Sequence, residues 1–234
     1  MIESPQFPPL LSGELVPRHT DPFDKAVSRA IAGVDSGTIF YSGEDDALRA
    51  ALVLAPETPL EEAIQAVYVA QLGLAESLGA LAPPEVPVYF QWPDRIKVNN
   101  AVCGGVRFAA DVSDPEAYPN WLVIGIDVPF APVGAEPGEH PNQTCLREEG
   151  CGDITPMALL ESWSKHTLLW LNYFMDSGFE RVHQEWRPRC DTLGKIVDQP
   201  KPGLFVGLDE KGRMLLRQDV MTETLSLIEF AEHL

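Results

Sequence analysis

Positive charge is scarce in this chain. Seventeen Lys and Arg stand against 35 Asp and Glu over 234 residues, a formal net charge of −18 with a pI near 4.5. Nucleic acid and anionic bilayers are held by basic surface, so neither is an expected partner. No uninterrupted apolar stretch reaches about 18 residues, which leaves no expected transmembrane helix. The opening residues MIESPQFPPLL carry neither the basic nor the apolar region of a signal peptide, so a cytoplasmic location with reduced thiols is expected. Cysteine is sparse as well. Cys103, Cys145, Cys151 and Cys190 contain no C-x-x-C pair, and a set built from Cys145, Cys151 and a histidine such as His140 matches no zinc-cage spacing, so no metal site is expected. Asn142-Gln143-Thr144 fits the glycosylation sequon by pattern alone.

What is present is ordinary globular material, 45% hydrophobic and 22% charged. A chain of this length holds one large core, or a main domain with a small appendage. Residues 1–16 are proline-rich and read as a surface arm. A short helix is expected from Asp24 to Ala32, then strands at Thr38–Tyr41 and Ala50–Leu54. Thr58 and Glu61 form a capping-box pattern with Pro59 at the first helical position, opening a helix that ends before Ala82-Pro83-Pro84. Trp121 to Val128 reads as a strand buried on both faces, and Pro129 to Gln143 as a long loop. A second long helix is expected from Thr155-Pro156 to Ser177, and a shorter one from Phe179 to Trp186. Beyond Lys201-Pro202, short strands at Leu204–Leu208, Arg213–Arg217 and Leu225–Phe230 form a portion too small to hold its own core, so it must dock.

The most informative segment is QWPDRIKVNNAVCGGVR, residues 91–107. Trp92-Pro93 ends an extended run from Val86. Ile96 and Val98 alternate with polar neighbours, Asn99-Asn100 supplies a two-residue turn, and Ala101 to Val106 returns as a strand. Gly104-Gly105 within that strand signals the close approach of another backbone or of a ligand.

This segment resembles the hairpin of the biotin and lipoate protein ligases, whose usual form is KWPND followed about ten residues later by a K-[IL]-[AG]-G strand. Other pieces are similar in the same order. His19-Thr20-Asp21 stands where those ligases carry Ser-Thr-Asn before the first helix, WLVIGIDV is similar to a G-I-G-I-N-V strand with Asp127 for the asparagine, and Thr144 to Glu149 resembles a T-S-L-R-E segment. The stretch from Glu185 to Lys195 resembles the approach to the family's small C-terminal barrel. Residues 203–230 resemble that SH3-like barrel itself.

The departures bear on chemistry. Gln91 replaces the first lysine of the motif, and Asp94-Arg95 replaces Asn-Asp, putting Arg95 where a carboxylate near magnesium is expected. The usual ligase lysine falls on Val102, or on Ala101 if the turn is one residue shorter. A preorganised donor of that kind is worth about 10²–10³ in rate. The Gly-Arg-Gly-Arg-type loop that holds the acyl-adenylate phosphate becomes Ser42-Gly43-Glu44-Asp45-Asp46. Like charges at ~4 Å repel by roughly 1–4 kcal/mol in screened settings.

The resemblance implies an α+β fold, a mixed sheet with packed helices of the class II synthetase-like ligase type (residues 17–200), plus a small SH3-like β domain (201–234). It implies a pocket lined by His19, Thr20, Gln91, Trp92, Asp94, Arg95, Val102, Gly104, Gly105, Arg107 and Asp127. Lys97 and Arg107 are candidates to bring positive charge back, with Lys97 and Cys103 the candidate catalytic residues, Cys103 as an acyl-accepting nucleophile. Two functions follow. One is an atypical acyl or cofactor transferase with a degenerate adenylation site. The other is a non-catalytic binding module for a small carboxylic acid, an acyl group or a lipoyl/biotinyl domain; a scaffold for partner contacts alone is a blander third. Biotin, lipoate or another acyl acid is the expected ligand, ATP with magnesium is not expected, and a homodimer is compatible with the family.

Overall fold

The computed structural model describes residues 4–132 and 142–232. The chain opens with β1 (Ser12–Leu15), α1 (Pro22–Ile31), β2 (Thr38–Tyr41) and β3 (Ala47–Leu54). Then come α2 (Leu60–Ala63), α3 (Ala66–Leu81), β4 (Val88–Gln91), β5 (Arg95–Val98), β6 (Ala101–Ala110) and β7 (Leu122–Pro129). Helices α4 (Pro156–Ser177) and α5 (Phe179–Trp186) follow, and β8 (Ile196–Val197), β9 (Gly203–Leu208), β10 (Met214–Gln218) and β11 (Met221–Leu225) complete the strands.

Strands β1 to β7 form one mixed sheet in the order β1-β2-β3-β7-β6-β5-β4, parallel only between β1 and β2. This is the expected α+β architecture. Helices α3, α4 and α5 pack on one face, where Leu72, Leu78, Leu159, Trp163 and Trp186 bury against Leu52, Ile124, Phe90 and Ile96. Helix α1 lies on the other face, seating Phe23, Ala26, Val27 and Ala30 against Phe40, Ala51, Val53 and Val123. Its packing is on β2, β3 and β7, so it leaves that face of β4, β5 and β6 without a covering helix.

The second sheet is four-stranded and antiparallel, β11-β10-β9-β8. It docks as its size requires: Phe205, Met214, Leu216 and Leu225 join the same core as the main sheet. Tyr68 fixes the joint, its hydroxyl donating to the Gly212 carbonyl while accepting from Trp92 Nε1 at 2.8 Å.

Several boundaries differ from expectation for identifiable reasons. The N-terminal arm contributes β1, which pairs with β2 while Phe7 packs on Tyr41 with ring centroids 5.9 Å apart. Helix α1 starts two residues early because Asp21 caps it, accepting from the Phe23 amide at 2.7 Å. The Thr58–Glu61 capping box does not form. The Leu60 and Glu61 amides donate instead to the carbonyls of Ala117 (2.8 Å) and Pro115 (3.0 Å), and the helix breaks at residues 64–65 before α3. Leu60–Leu81 is apolar enough by length and composition to cross a membrane, yet 78% of its window is buried inside the protein, which makes it the core element. Strand β11 ends at Leu225, and Leu227–Phe230 is a 3-10 turn with a complete capping box between Ser226 and Glu229. His140 lies outside the described residues, and among those described no three His, Cys, Asp or Glu side chains are grouped to hold a metal ion.

The hairpin is as read, with Asn99 and Asn100 at φ 48° and 76°. Its glycines serve backbone contact. Arg95 opposes Gly105 and Lys97 opposes Val102, so three steps on β6 match two on β5, and Gly104 takes the extra residue at φ +90°. A Cβ at Gly104 would lie 1.9 Å from the Asp127 carbonyl oxygen, and one at Gly105 2.6 Å from that of Asp94.

Two outcomes test this packing. Gly104→Ala meets both a backbone clash and a positive φ and should cost more than about 2 kcal/mol in urea denaturation, whereas Gly79→Ala, open on every side within α3, should be neutral or stabilising by up to about 1 kcal/mol. All four cysteines are free and buried, so a disulfide-exchange reagent should find no reactive thiol in the native protein at pH 8 and four after unfolding. Rapid native labelling would contradict the buried assignment.

Candidate functional site

Strand alternation and the Gly104 bulge sort the hairpin residues into two sets. Cys103, Val106 and Phe108 enter the core, and Val102, Gly105 and Arg107 face the α1 side. Cross-strand pairing carries that face across the sheet: Gln91 opposes Arg95, Arg95 opposes Gly105, Gly105 opposes Asp127, and Asp127 opposes Arg49. One step away Lys97 opposes Val102, and in the other direction Arg107 opposes Gly125. Seven of the expected residues, Gln91, Arg95, Lys97, Val102, Gly105, Arg107 and Asp127, therefore share the face that α1 only partly covers. Gly125 is glycine because Phe23 of α1 sits on it, 2.6 Å from where a Cβ would be.

His19 and Thr20 stand at the rim. With Arg18 and Asp21 they face Gly43–Asp46 and Arg49 across an open cleft of about 650 Å³. His19 is exposed, at φ 63°, with Nδ1 3.8 Å from Glu44.

Three expected residues lie elsewhere. Trp92 is buried in the core, hydrogen-bonded to Tyr68 and edge-on to Phe230, so it supports the hairpin from behind. Cys103 is 0% exposed, and burial pushes its thiol well above the ordinary cysteine range. A thiol held protonated and closed to solvent is poorly disposed to accept an acyl group. Asp94 occupies the turn, its carbonyl accepting from Val106 at 2.8 Å and its carboxyl raised above the usual range by desolvation.

The charge pattern is consistent throughout this face. Arg49 reaches Glu44 and Asp46 at 3.1 Å each and Asp127 at 3.7 Å. Arg107 lies 4.3 Å from the Phe23 ring centroid and contacts Asp21 (2.6 Å), Asp24 (3.2 Å) and Glu232 (2.6 Å). Arg95 reaches Asp94 at 3.4 Å, and Lys97 pairs with Asp191, both side chains only 15% exposed. Four cations thus meet eight carboxylates. Their hydrogen bonds raise Arg49 (through Asp46) and Arg107 (through Glu232), while Arg49 holds Asp46 low; burial lifts Asp127. Arg18, on the loop into α1, makes no ion pair among the described residues.

Arg49, Asp191 and Glu232 were not identifiable from the motif. Arg49 had a signal in its place three residues after Asp46, on the strand leaving the acidic loop. Asp191 had none: it reaches Lys97 because residues 190–191 run along the β4 edge, where the Asp191 amide donates to the Phe90 carbonyl at 3.1 Å. Lys97 is accordingly a half-buried, paired residue.

Comparison with known proteins agrees with this fold. A protein-family model, the biotin/lipoate A/B protein ligase family, matches residues 7–188. A biotin–[acetyl-CoA-carboxylase] ligase from Paracoccus denitrificans is 27% identical over 173 residues, covering 71% of this chain and 72% of its own. The crystal structure of a biotin protein ligase-like protein of unknown function from Silicibacter sp. superposes with a TM-score of 0.93 at 42% identity, over 98% of this chain and 100% of that one. A mutant biotin protein ligase of Aquifex aeolicus in complex with biotin shares the fold, with a TM-score of 0.72 at 19% identity over 93% and 96% of the two chains. Fold, hairpin and family match converge: this chain belongs to the biotin/lipoate A/B protein ligase family.

Proposed function

We propose that this chain is a binding member of its family, one that holds a small carboxylic acid or acyl-bearing group on the α1-side sheet face and does not activate it with ATP. The observation that carries this reading is the neutralisation of Arg49, Arg95, Lys97 and Arg107 by the chain's own carboxylates. Activation of a carboxylate by a nucleotide needs preorganised donors aimed at developing negative charge. Here Val102 stands where the resemblance places the lysine. The loop facing Thr20 presents Glu44, Asp45 and Asp46, so a triphosphate entering the cleft would meet a surplus of negative charge. Among the described residues no three His, Cys, Asp or Glu side chains are grouped to hold a metal ion, and Glu44 and Asp46 at the cleft are engaged by Arg49. A nucleotide triphosphate therefore does not fit these residues.

The family and the ligase named among the relatives make a carrier-type domain a natural partner for such a face. The test is ATP–pyrophosphate exchange with biotin, lipoate and octanoate. Exchange should stay at background for all three acids; exchange above background with any of them would overturn this reading.

One observation favours a second reading, an ATP-independent acyl transferase. Lys97 lies directly across from Val102 on the same face, and Asp191 holds its ammonium in place. In that reaction an acyl thioester would lose its thiol and gain a bond to an acceptor amine, with Lys97 steadying the charge on the carbonyl oxygen. Transfer from an octanoyl thioester that is present in the wild type and lost in Lys97→Met would select this reading. Absence of transfer in the wild type leaves binding alone.

A further inference from the structure

Arg107 has more acid around it than charge balance requires. Asp21 and Asp24 come from the start of α1, and Asp21 is fixed there because its other oxygen caps the Phe23 amide. Glu232 arrives from 125 residues further along the chain. It takes the Nε and NH2 edge of the guanidinium with both oxygens, Oε1 to Nε at 2.6 Å and Oε2 to NH2 at 3.0 Å. That side-on fork is the geometry with which arginine recognises a free carboxylate.

The segment that delivers Glu232 is held by few contacts. At the end of the 3-10 turn, Phe230 stands edge-on to Trp92 with ring centroids 5.1 Å apart. The Glu232 amide donates to the Phe108 carbonyl at 2.8 Å, on a stretch of the β6 edge that β5 does not reach. Past Phe230 and Ala231, which rest partly buried on the core, Glu232 is held by one backbone bond to β6 and one half-exposed ion pair, so this end opens at lower free energy than the core.

We propose that Arg107 is a monocarboxylate-binding subsite which the chain's own Glu232 covers in the free protein, so that an acid enters by displacing the tail. This rests on the acid-binding reading given above and adds the residue that grips the acid and the element that regulates it. Charge sets the ligand class. A monocarboxylate replaces Glu232 one charge for one, leaving the balance with Asp21 and Asp24 unchanged. A phosphate dianion adds a further negative charge beside two fixed acids.

The test is calorimetric titration of the full chain with octanoate, beside Glu232→Gln and Arg107→Gln. If the tail covers Arg107 in about nine molecules of ten, uncovering it tightens apparent binding about tenfold in Glu232→Gln. Arg107→Gln should abolish binding, and Arg107→Lys, which keeps the charge and loses the fork, should weaken it even if the glutamine variant folds poorly. Octanoate should also speed hydrogen exchange at the Glu232 amide of the wild type. Equal octanoate affinity in the wild type and Glu232→Gln would overturn the cover while leaving acid binding in place. Absence of octanoate binding in both would overturn the subsite, whereas the no-activation reading stands or falls separately on pyrophosphate exchange.

Discussion

The α1-side sheet face depends on how its few cations are matched. With 17 basic residues against 35 acidic ones, a sheet that presents Arg49, Arg95, Lys97 and Arg107 on one side has carboxylates within reach of each. Two of these clusters also hold the fold together. Arg107 links β6, the capped start of α1 and the C-terminal tail, while Arg49 links β3, the acidic loop and β7. Partly exposed ion pairs contribute modestly one at a time, roughly 0–1 kcal/mol each, but a ligand's phosphate would have to displace a carboxylate to reach a cation inside such a network. Structural use of the positive charge and nucleotide chemistry compete for the same side chains.

The backbone around this face is that of the family, and its geometry explains why part of the motif is kept while position 102 and the acidic loop depart from it. Gly104 and Gly105 are required by the approach of the Asp127 and Asp94 carbonyls, whatever the pocket binds. Trp92 is retained as a core residue whose indole N–H anchors Tyr68, which in turn reaches the C-terminal sheet through Gly212. Position 102 has no such duty. Its side chain faces the α1-side sheet surface across from Lys97.

This division sets how much the sequence could reveal. The α+β class follows from the family resemblance, and the two long helices, the hairpin with its Asn99-Asn100 turn and the docked C-terminal strands from local pattern and turn chemistry. The arm's role as β1 was hidden because every side chain of Ser12–Leu15 is exposed, leaving no alternation to read. The Thr58–Glu61 pattern misled because a loop more than fifty residues away supplies the carbonyls that a cap would otherwise replace. In the site, face sharing by Lys97, Val102, Arg107 and Asp127 needed the Gly104 bulge, which reverses the in–out order along β6. The partners Asp191 and Glu232 lie 94 and 125 residues from Lys97 and Arg107, distances that only tertiary structure closes.

The central claim is that no anion-holding machinery for an acyl phosphate remains on this face. The most direct measurement is a thermal-shift titration of the full chain with a non-hydrolysable acyl-adenylate, biotinol-adenylate, to millimolar concentration. Saturation at about 1,000 times a dissociation constant would add about 4 kcal/mol, roughly 8–16 °C for a chain of this size. No shift is expected. A saturable rise in melting temperature, reduced by substituting Arg49, would show that the phosphate site persists behind the ion pairs and would contradict the claim.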